Sequence, residues 1–168
     1  MRWDELENEA CSVARTLAVI GDRWTLMLLR ECFMGVRRFE HFQARLDISR
    51  TIVRDRLKHL VDHGILERRL YETRPPRYEY KLTEAGLALH PIMISIVQWG
   101  DAYRAGESGP PLIRTHRLCG QRLEAQLVCR DCGEAVEPKD VALHRGPGGG
   151  APAASADADA GRDPLRGA

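Results

Sequence analysis

Long apolar runs, lysine and aromatic side chains are all scarce in this chain, and each scarcity narrows what it can be. No stretch approaches the ~18 consecutive apolar residues that a membrane-crossing helix needs. The opening MRWDELENEA is acidic where a secretory leader would be basic and then apolar, so a cytoplasmic protein with no membrane partner is expected. Aromatics make up 6% of the 168 residues, beside 43% apolar and 29% charged side chains, the profile of an ordinary soluble domain long enough for one core. Only 3 of the 25 basic residues are Lys; the other 22 are Arg, the side chain that forks onto phosphates and guanine edges, although a GC-rich genome gives the same bias. Five cysteines do not make a disulfide framework in a reducing compartment. Cys11 and Cys32 stand alone, whereas Cys119, Cys129 and Cys132 fall within 14 residues and read as a site. No internal repeat is evident.

The net charge of +1 conceals an uneven distribution. Residues 36–81 hold 12 Lys or Arg against 7 Asp or Glu, while residues 1–35 hold 4 against 6, so the central segment is the one suited to a polyanion. Composition divides the chain further. The ESGPPL joint separates a body at 1–108 from a small Cys/His module at 109–144, and the Gly, Ala, Pro and Asp of 145–168 predict a disordered tail.

Within the body, Val13, Leu17 and Ile20 recur at helical spacing and Gly21 stops them; Asp22 caps a second helix with Trp24, Leu28 and Leu29, ended by Gly35. Phe39, Phe42 and Leu46 mark a third helix, and Asp47-Ile48-Ser49 turns into a fourth with Ser49 as N-cap. There Ile52, Val53, Leu57, Leu60 and Val61 gather on one side, and Gly64 sits where a left-handed cap belongs. ILERRLY and YEYKL then read as two strands, with ETRPPR as a loop whose prolines keep it from pairing. A helix opens at Thr83 and Glu84, with Pro91 breaking it or lying in a first turn. Ile92, Ile96, Trp99 and Tyr103 follow as an apolar stripe with no obvious partner in so small a core.

Helix, tight turn, helix and basic-tipped hairpin is the order of a winged helix-turn-helix, whose second helix enters the major groove of double-stranded DNA. On a helical wheel Thr51, Arg54, Asp55 and Lys58 lie opposite the apolar stripe of the fourth helix. Arg54 suits guanine O6 and N7, Lys58 a base or phosphate, and Thr51 a phosphate or thymine methyl. Asp55 either accepts from cytosine or orients Arg54 or Lys58. Ser49 and Arg50, with the amides that open this helix, suit backbone oxygens, as do Arg37 and Arg38 before the third helix. Arg74 and Arg77 flank the two prolines, a stiff presentation for a narrow minor groove. The competing reading is a merely solvated charged face.

The run CSVARTLAVIGDRWTLMLLRECFMGVRRFEHFQARLDISRTIVRDRLKHLVDHGILERRLYETRPPRYEYKLTEAGLAL, with WGDAY after it, resembles the HxlR-type winged-helix transcriptional regulators of bacteria over about 11–103. The Cys opening the first helix, IGDRWT, RRF, LxHLVDHGILERR and the PPRYEYKLTEAG wing carry the likeness. It implies a homodimeric cytoplasmic repressor or activator that dimerises through its terminal helices, which supplies a partner for the stripe at Ile92, Ile96 and Trp99. Several such regulators sense oxidants or electrophiles through the Cys at the position of Cys11; the bland reading is a small interface residue. Asp55 and the extension beyond 108 depart from the pattern.

In that extension, His116-Arg-Leu-Cys119-Gly and Cys129-Arg-Asp-Cys132-Gly are two ligand-x-x-Cys-Gly knuckles, a spacing that lets both side chains of each reach one ion. QRLEAQLV between them is read as a small hairpin, giving a zinc-ribbon-like module with structural zinc; a labile dithiol or disulfide is the alternative. The fold class expected is mainly α with a small β-hairpin: a winged helix-turn-helix, this module and a tail. The function expected is a dimeric DNA-binding regulator, responsive to an oxidant, electrophile or small molecule, or alternatively an adaptor whose zinc ribbon binds protein or RNA. An enzyme is not expected, because no motif fixes a His and an acid near Cys11. His41, His59 and His63 need only a groove or solvent role, His90 and His144 are read as surface residues, and Cys32 as core.

Overall fold

The computed structural model describes residues 3–149. It divides into two units, one ending at Leu112 and one beginning at Ile113. In the first, a 3-10 turn at Trp3–Asn8 precedes α1 (Ser12–Ile20), α2 (Arg23–Phe33), α3 (Phe39–Leu46), α4 (Arg50–Asp62), β1 (Leu66–Thr73), β2 (Pro76–Leu82), α5 (Glu84–Leu87) and α6 (His90–Tyr103).

Local chemistry fixes most of these boundaries. The Asp22 carboxylate accepts from the amides of Trp24 (3.0 Å) and Thr25 (3.1 Å), and the Ser49 hydroxyl from that of Ile52 (3.3 Å), so α2 and α4 both start on side-chain caps. α4 ends at Gly64, φ +68°, where the Ile65 amide donates back to the Leu60 carbonyl (2.9 Å) and the chain turns into β1. Thr83 closes the far side of that junction, donating to the Gly64 carbonyl at 2.6 Å and accepting from the Gly86 amide at 3.1 Å. Gly86 has no room for a side chain, because a Cβ there would meet the Ile65 carbonyl oxygen at 2.3 Å. Pro91 lies in the first turn of α6, where a missing N–H costs nothing.

Leu28, Leu29, Phe42, Val53, Leu57 and Leu60 are fully buried and join α2, α3 and α4 into one core, with Leu66 at the entry to β1. α6 adds Met93 to that cluster. Its stripe of Ile92, Ile96, Trp99 and Tyr103 stays exposed, as do Val13 and Leu17 of α1.

One sequence expectation fails here. The wing loop is not the six-residue ETRPPR: antiparallel pairing continues through Glu72 with Arg77 and Thr73 with Pro76, after a register shift between Leu70 and Glu72. Proline excludes itself from a ladder by lacking a donor, but at the last pair of a two-stranded ribbon that lack costs little. The residues before α3 are tied to the ribbon as well: the Tyr80 amide donates to the Arg37 carbonyl (2.8 Å) and Arg38 bridges Glu79. They lie against β2.

In the second unit each of the two knuckles sits in a hairpin of its own. Thr115 bridges Arg122, and Val128 bridges Ala135, thirteen residues on. The QRLEAQLV segment is therefore not one hairpin; its two ends belong to two miniature hairpins, each with a knuckle at its tip. Of the expected tail, residues 145–149 hold a turn closed by Gly149 on Gly146, and the remainder lies outside the described residues. Among the described residues no helix is long and apolar enough to cross a membrane.

Candidate nucleic-acid interface

The exposed side of α4 is set by its buried side. Because Val53, Leu57 and Leu60 point into the core, Thr51, Arg54, Asp55 and Lys58 point out, as the wheel predicts. Arg54 Nε donates to Asp55 Oδ1 (2.9 Å) and Lys58 Nζ to Asp62 Oδ2 (2.5 Å). Asp55 therefore orients Arg54, not Lys58. It stands on the flank of the row, lining a hollow with Asp22, Trp24 and Arg56, whose guanidinium pairs with the α2 cap at 3.3 Å. Arg56, half-buried, is thereby engaged at the α2 cap.

Between the N-terminal half of α4 and the wing runs a cleft of about 380 Å³, lined by Phe39, Arg50, Thr51, Arg54, Tyr71 and Arg77 among others. The fold thus brings three of the expected cations together with aromatic rings. Arg50 stacks over Phe39 (5.1 Å) and donates from Nη1 to Gln43 Oε1 (3.4 Å), and Arg38 stacks over Tyr71 (4.7 Å), which steers both guanidiniums. Arg77 pairs across the ribbon with Glu72 (3.3 Å); its guanidinium is held above its ordinary range by the Tyr71 side chain first and by the Glu72 charge second. Arg74 occupies the two-residue turn and is exposed, as is Arg37. Lys58 and Arg74 do not line the cleft. Ser49 is exposed with its hydroxyl engaged in capping.

A family model, the HxlR-like helix-turn-helix, matches residues 19–108, which takes in α2, α4 and the whole wing. The chain belongs to the HxlR-like helix-turn-helix family of transcriptional regulators. Among its relatives is the HTH-type transcriptional regulator Rv3095 of Mycobacterium tuberculosis, 42% identical over 140 residues, 83% of this chain and 89% of that one. Since 140 residues exceed the 112 of the first unit, the likeness runs into the second. The crystal structure of PA1607 superposes with a TM-score of 0.76 at 33% identity, covering 83% of this chain and 98% of the other. The redox regulator HypR in its oxidized form gives 0.52 at 36% identity, over 56% of this chain and 98% of HypR.

In this HxlR-like chain Cys11 is exposed and is the N-cap residue of α1, making no side-chain cap hydrogen bond. Cys32 is core, its thiol pushed up to about 12 by burial and then by the neighbouring Glu31 charge. Of the histidines expected to need only a groove or solvent role, His63 is exposed and bonds the Glu7 carboxylate of the N-terminal turn, whereas His59 is half-buried and turned toward α1. His59 Nε2 donates to the Val19 carbonyl (2.9 Å). In the second unit, His116 Nδ1 lies 3.3 Å from Cys119 Sγ, while the amides of Cys132 and Asp131, then the Cys132 thiol, hold the Cys129 thiol below its ordinary range. Among the described residues no three His, Cys, Asp or Glu side chains converge as a metal group.

Sequence reasoning missed Glu31 altogether. It is 1% exposed and takes a hydrogen bond from Arg30 at 2.5 Å and another from Arg45 of α3. Burial alone would raise its carboxyl; the hydrogen bonds from Arg45 and Arg30 outweigh that and hold it low. The ECF stretch gave no signal of this, because Arg45 lies 14 residues away.

Proposed function

We propose that this chain is a homodimeric cytoplasmic regulator that binds an operator in double-stranded DNA and works by binding, not catalysis. The observation that carries the reading is the cleft between α4 and the wing, where Arg50, Thr51, Arg54 and Arg77 meet. α4 lies in the major groove, with Arg54 on guanine, Thr51 and Lys58 on bases or phosphates, and Asp55 setting the angle of Arg54. Arg37, Arg38, Arg50 and the exposed amides at the start of α4 hold phosphates; Arg74 and Arg77 reach the adjacent minor groove. A pseudo-palindrome with half-sites about one or two helical turns apart follows from a two-fold dimer.

Oxidant or electrophile sensing through Cys11 is the regulatory part of the proposal. Its support is the exposed thiol at the start of α1 and the likeness to HypR, itself a redox regulator. Selection of bound DNA from a random pool by the full chain, with and without an oxidant, tests both parts. An inverted-repeat motif whose recovery falls on oxidation and is restored by Cys11→Ser is the expected result. Recovery of no motif, with affinity that ignores salt, would overturn the DNA reading. An unchanged motif and affinity after oxidation would overturn the sensing alone.

A further inference from the structure

The second unit has a defined backbone and almost nothing to hold it. None of its described residues is buried, and Leu118 and Leu143 are each 91% exposed. A piece of under about 40 residues without a core does not offset the entropy of ordering its chain unless a cross-link or a metal contributes. Its three cysteines are free thiols.

Its backbone is nonetheless built twice to one plan. The His116 amide donates to the Gln121 carbonyl (2.8 Å), Gly120 back to His116 (2.7 Å) and Leu123 to Arg114 (2.8 Å). Thirteen residues on, Cys129 donates to Glu134 (2.8 Å), Gly133 to Cys129 (2.8 Å) and Val136 to Leu127 (2.9 Å). Both turns pass through a left-handed glycine, Gly120 at φ +70° and Gly133 at φ +77°, where a side chain would be strained. Superposing the plans places His116 on Cys129 and Cys119 on Cys132. The 3.3 Å between His116 Nδ1 and Cys119 Sγ is close to the ~3.5 Å that a nitrogen at ~2.05 Å and a sulfur at ~2.3 Å subtend at one tetrahedral zinc.

We infer that the two knuckles together hold one structural Zn²⁺ ion through His116, Cys119, Cys129 and Cys132. Each knuckle brings two of the four ligands, with His116 and Cys119 already 3.3 Å apart, and since the two pairs do not converge among the described residues, the ion is what unites them. Three thiolates and an imidazole favour zinc over magnesium or calcium, and four protein ligands leave no position for a reactive water. The ion supplies the stability that the missing core does not. None of this depends on the DNA reading.

The test uses the full chain, purified from zinc-supplemented cells without chelator and assayed by elemental analysis. About one zinc per chain is expected, falling at least about tenfold in both Cys119→Ser and Cys132→Ser, with the helical circular-dichroism signal of the first unit retained. His116→Cys should keep the ion, because the repeat already has Cys at the matching position. After exchange into Co²⁺, wild type should show tetrahedral d–d bands and a thiolate charge-transfer band, the latter stronger in His116→Cys. Wild-type protein without zinc, whether its thiols alkylate freely or Cys129 and Cys132 are joined as a disulfide, would overturn the inference. Zinc that survives Cys119→Ser undiminished would overturn it too, since the second knuckle would then suffice.

Discussion

Arg54 and Asp55 stand side by side on the exposed face of α4, and their 2.9 Å hydrogen bond aligns the guanidinium at little cost to folding, since both are more than half exposed. Substitutions here should therefore change DNA recognition without changing stability. Arg54→Ala is expected to cost about 1–3 kcal/mol of operator affinity and to relax preference at one base pair, readable from a binding-site selection. Asp55→Ala should leave that base pair preferred but raise affinity for unrelated DNA and steepen its salt dependence, because a carboxylate near phosphate is removed. A preference transferred to another base would instead show that Asp55 reads cytosine. Glu31 is the opposite case, buried and unrelated to DNA. Its depressed carboxyl stabilises the fold above the unfolded pKa of about 4.3, and that contribution is lost as pH falls through the lower folded value. Glu31→Gln should thus lower the urea midpoint at pH 7, and the gap from wild type should close in strong acid. A gap that persists there would mean that packing, not charge, is what the Arg30–Glu31–Arg45 group provides.

At the level of elements, α4 is tied to the N-terminal turn through His63. Its Nδ1 lies 2.8 Å from the His59 carbonyl and its Nε2 2.9 Å from the Glu7 carboxylate. Both partners only accept, so both ring nitrogens must carry protons, and the Glu7 hydrogen bond first, then that to His59, raises the imidazole's affinity for its proton. A raised folded pKa stabilises fully below the unfolded value of about 6.5 and is lost as pH rises through the folded one. Protection of the amides around residues 3–8, followed by hydrogen exchange corrected for intrinsic pH effects, should therefore fall between mildly acidic and mildly alkaline pH, and Glu7→Gln should abolish the change. The features legible in the sequence were those that neighbours in the chain determine: helical periodicity, the caps at Asp22 and Ser49, the turn at Gly64 and the exposed row of α4. What stayed hidden depends on tertiary company. Nothing local announces that Arg37 and Arg38 lie along β2, that His59 finds the Val19 carbonyl, or that the ribbon keeps pairing up to Pro76. The two knuckles were legible from their shared Arg, Cys and Gly, but the small hairpin that closes on each was not, because its flanking residues share no identity and only backbone bonding pairs them.

For the whole molecule the decisive feature is apolar surface that a single chain does not use. Ile92, Ile96, Trp99 and Tyr103 recur along one side of α6 and are 41%, 46%, 55% and 67% exposed, while Met93 and Ile94 of the same helix are buried. The Trp99 and Tyr103 rings lie 5.7 Å apart, with Arg104 over Trp99 at 5.2 Å, an aromatic cluster of the kind that anchors interfaces. A second copy of the chain is the occupant that the proposed palindromic operator requires. Ile96→Asp places a charge in that surface without disturbing the core, so the isolated chain should keep its helical content and melting cooperativity. Sedimentation equilibrium should show wild type as a dimer and Ile96→Asp as a monomer. Because joining two half-site readers makes the second contact intramolecular, the monomer should lose about 10²–10⁴-fold in operator affinity while its affinity for a lone half-site is nearly unchanged. Equal losses on full and half operators would place the damage in α4 instead. A variant that remains dimeric at micromolar concentration would show that α6 does not carry the dimer, and would turn attention to the exposed Val13 and Leu17 of α1.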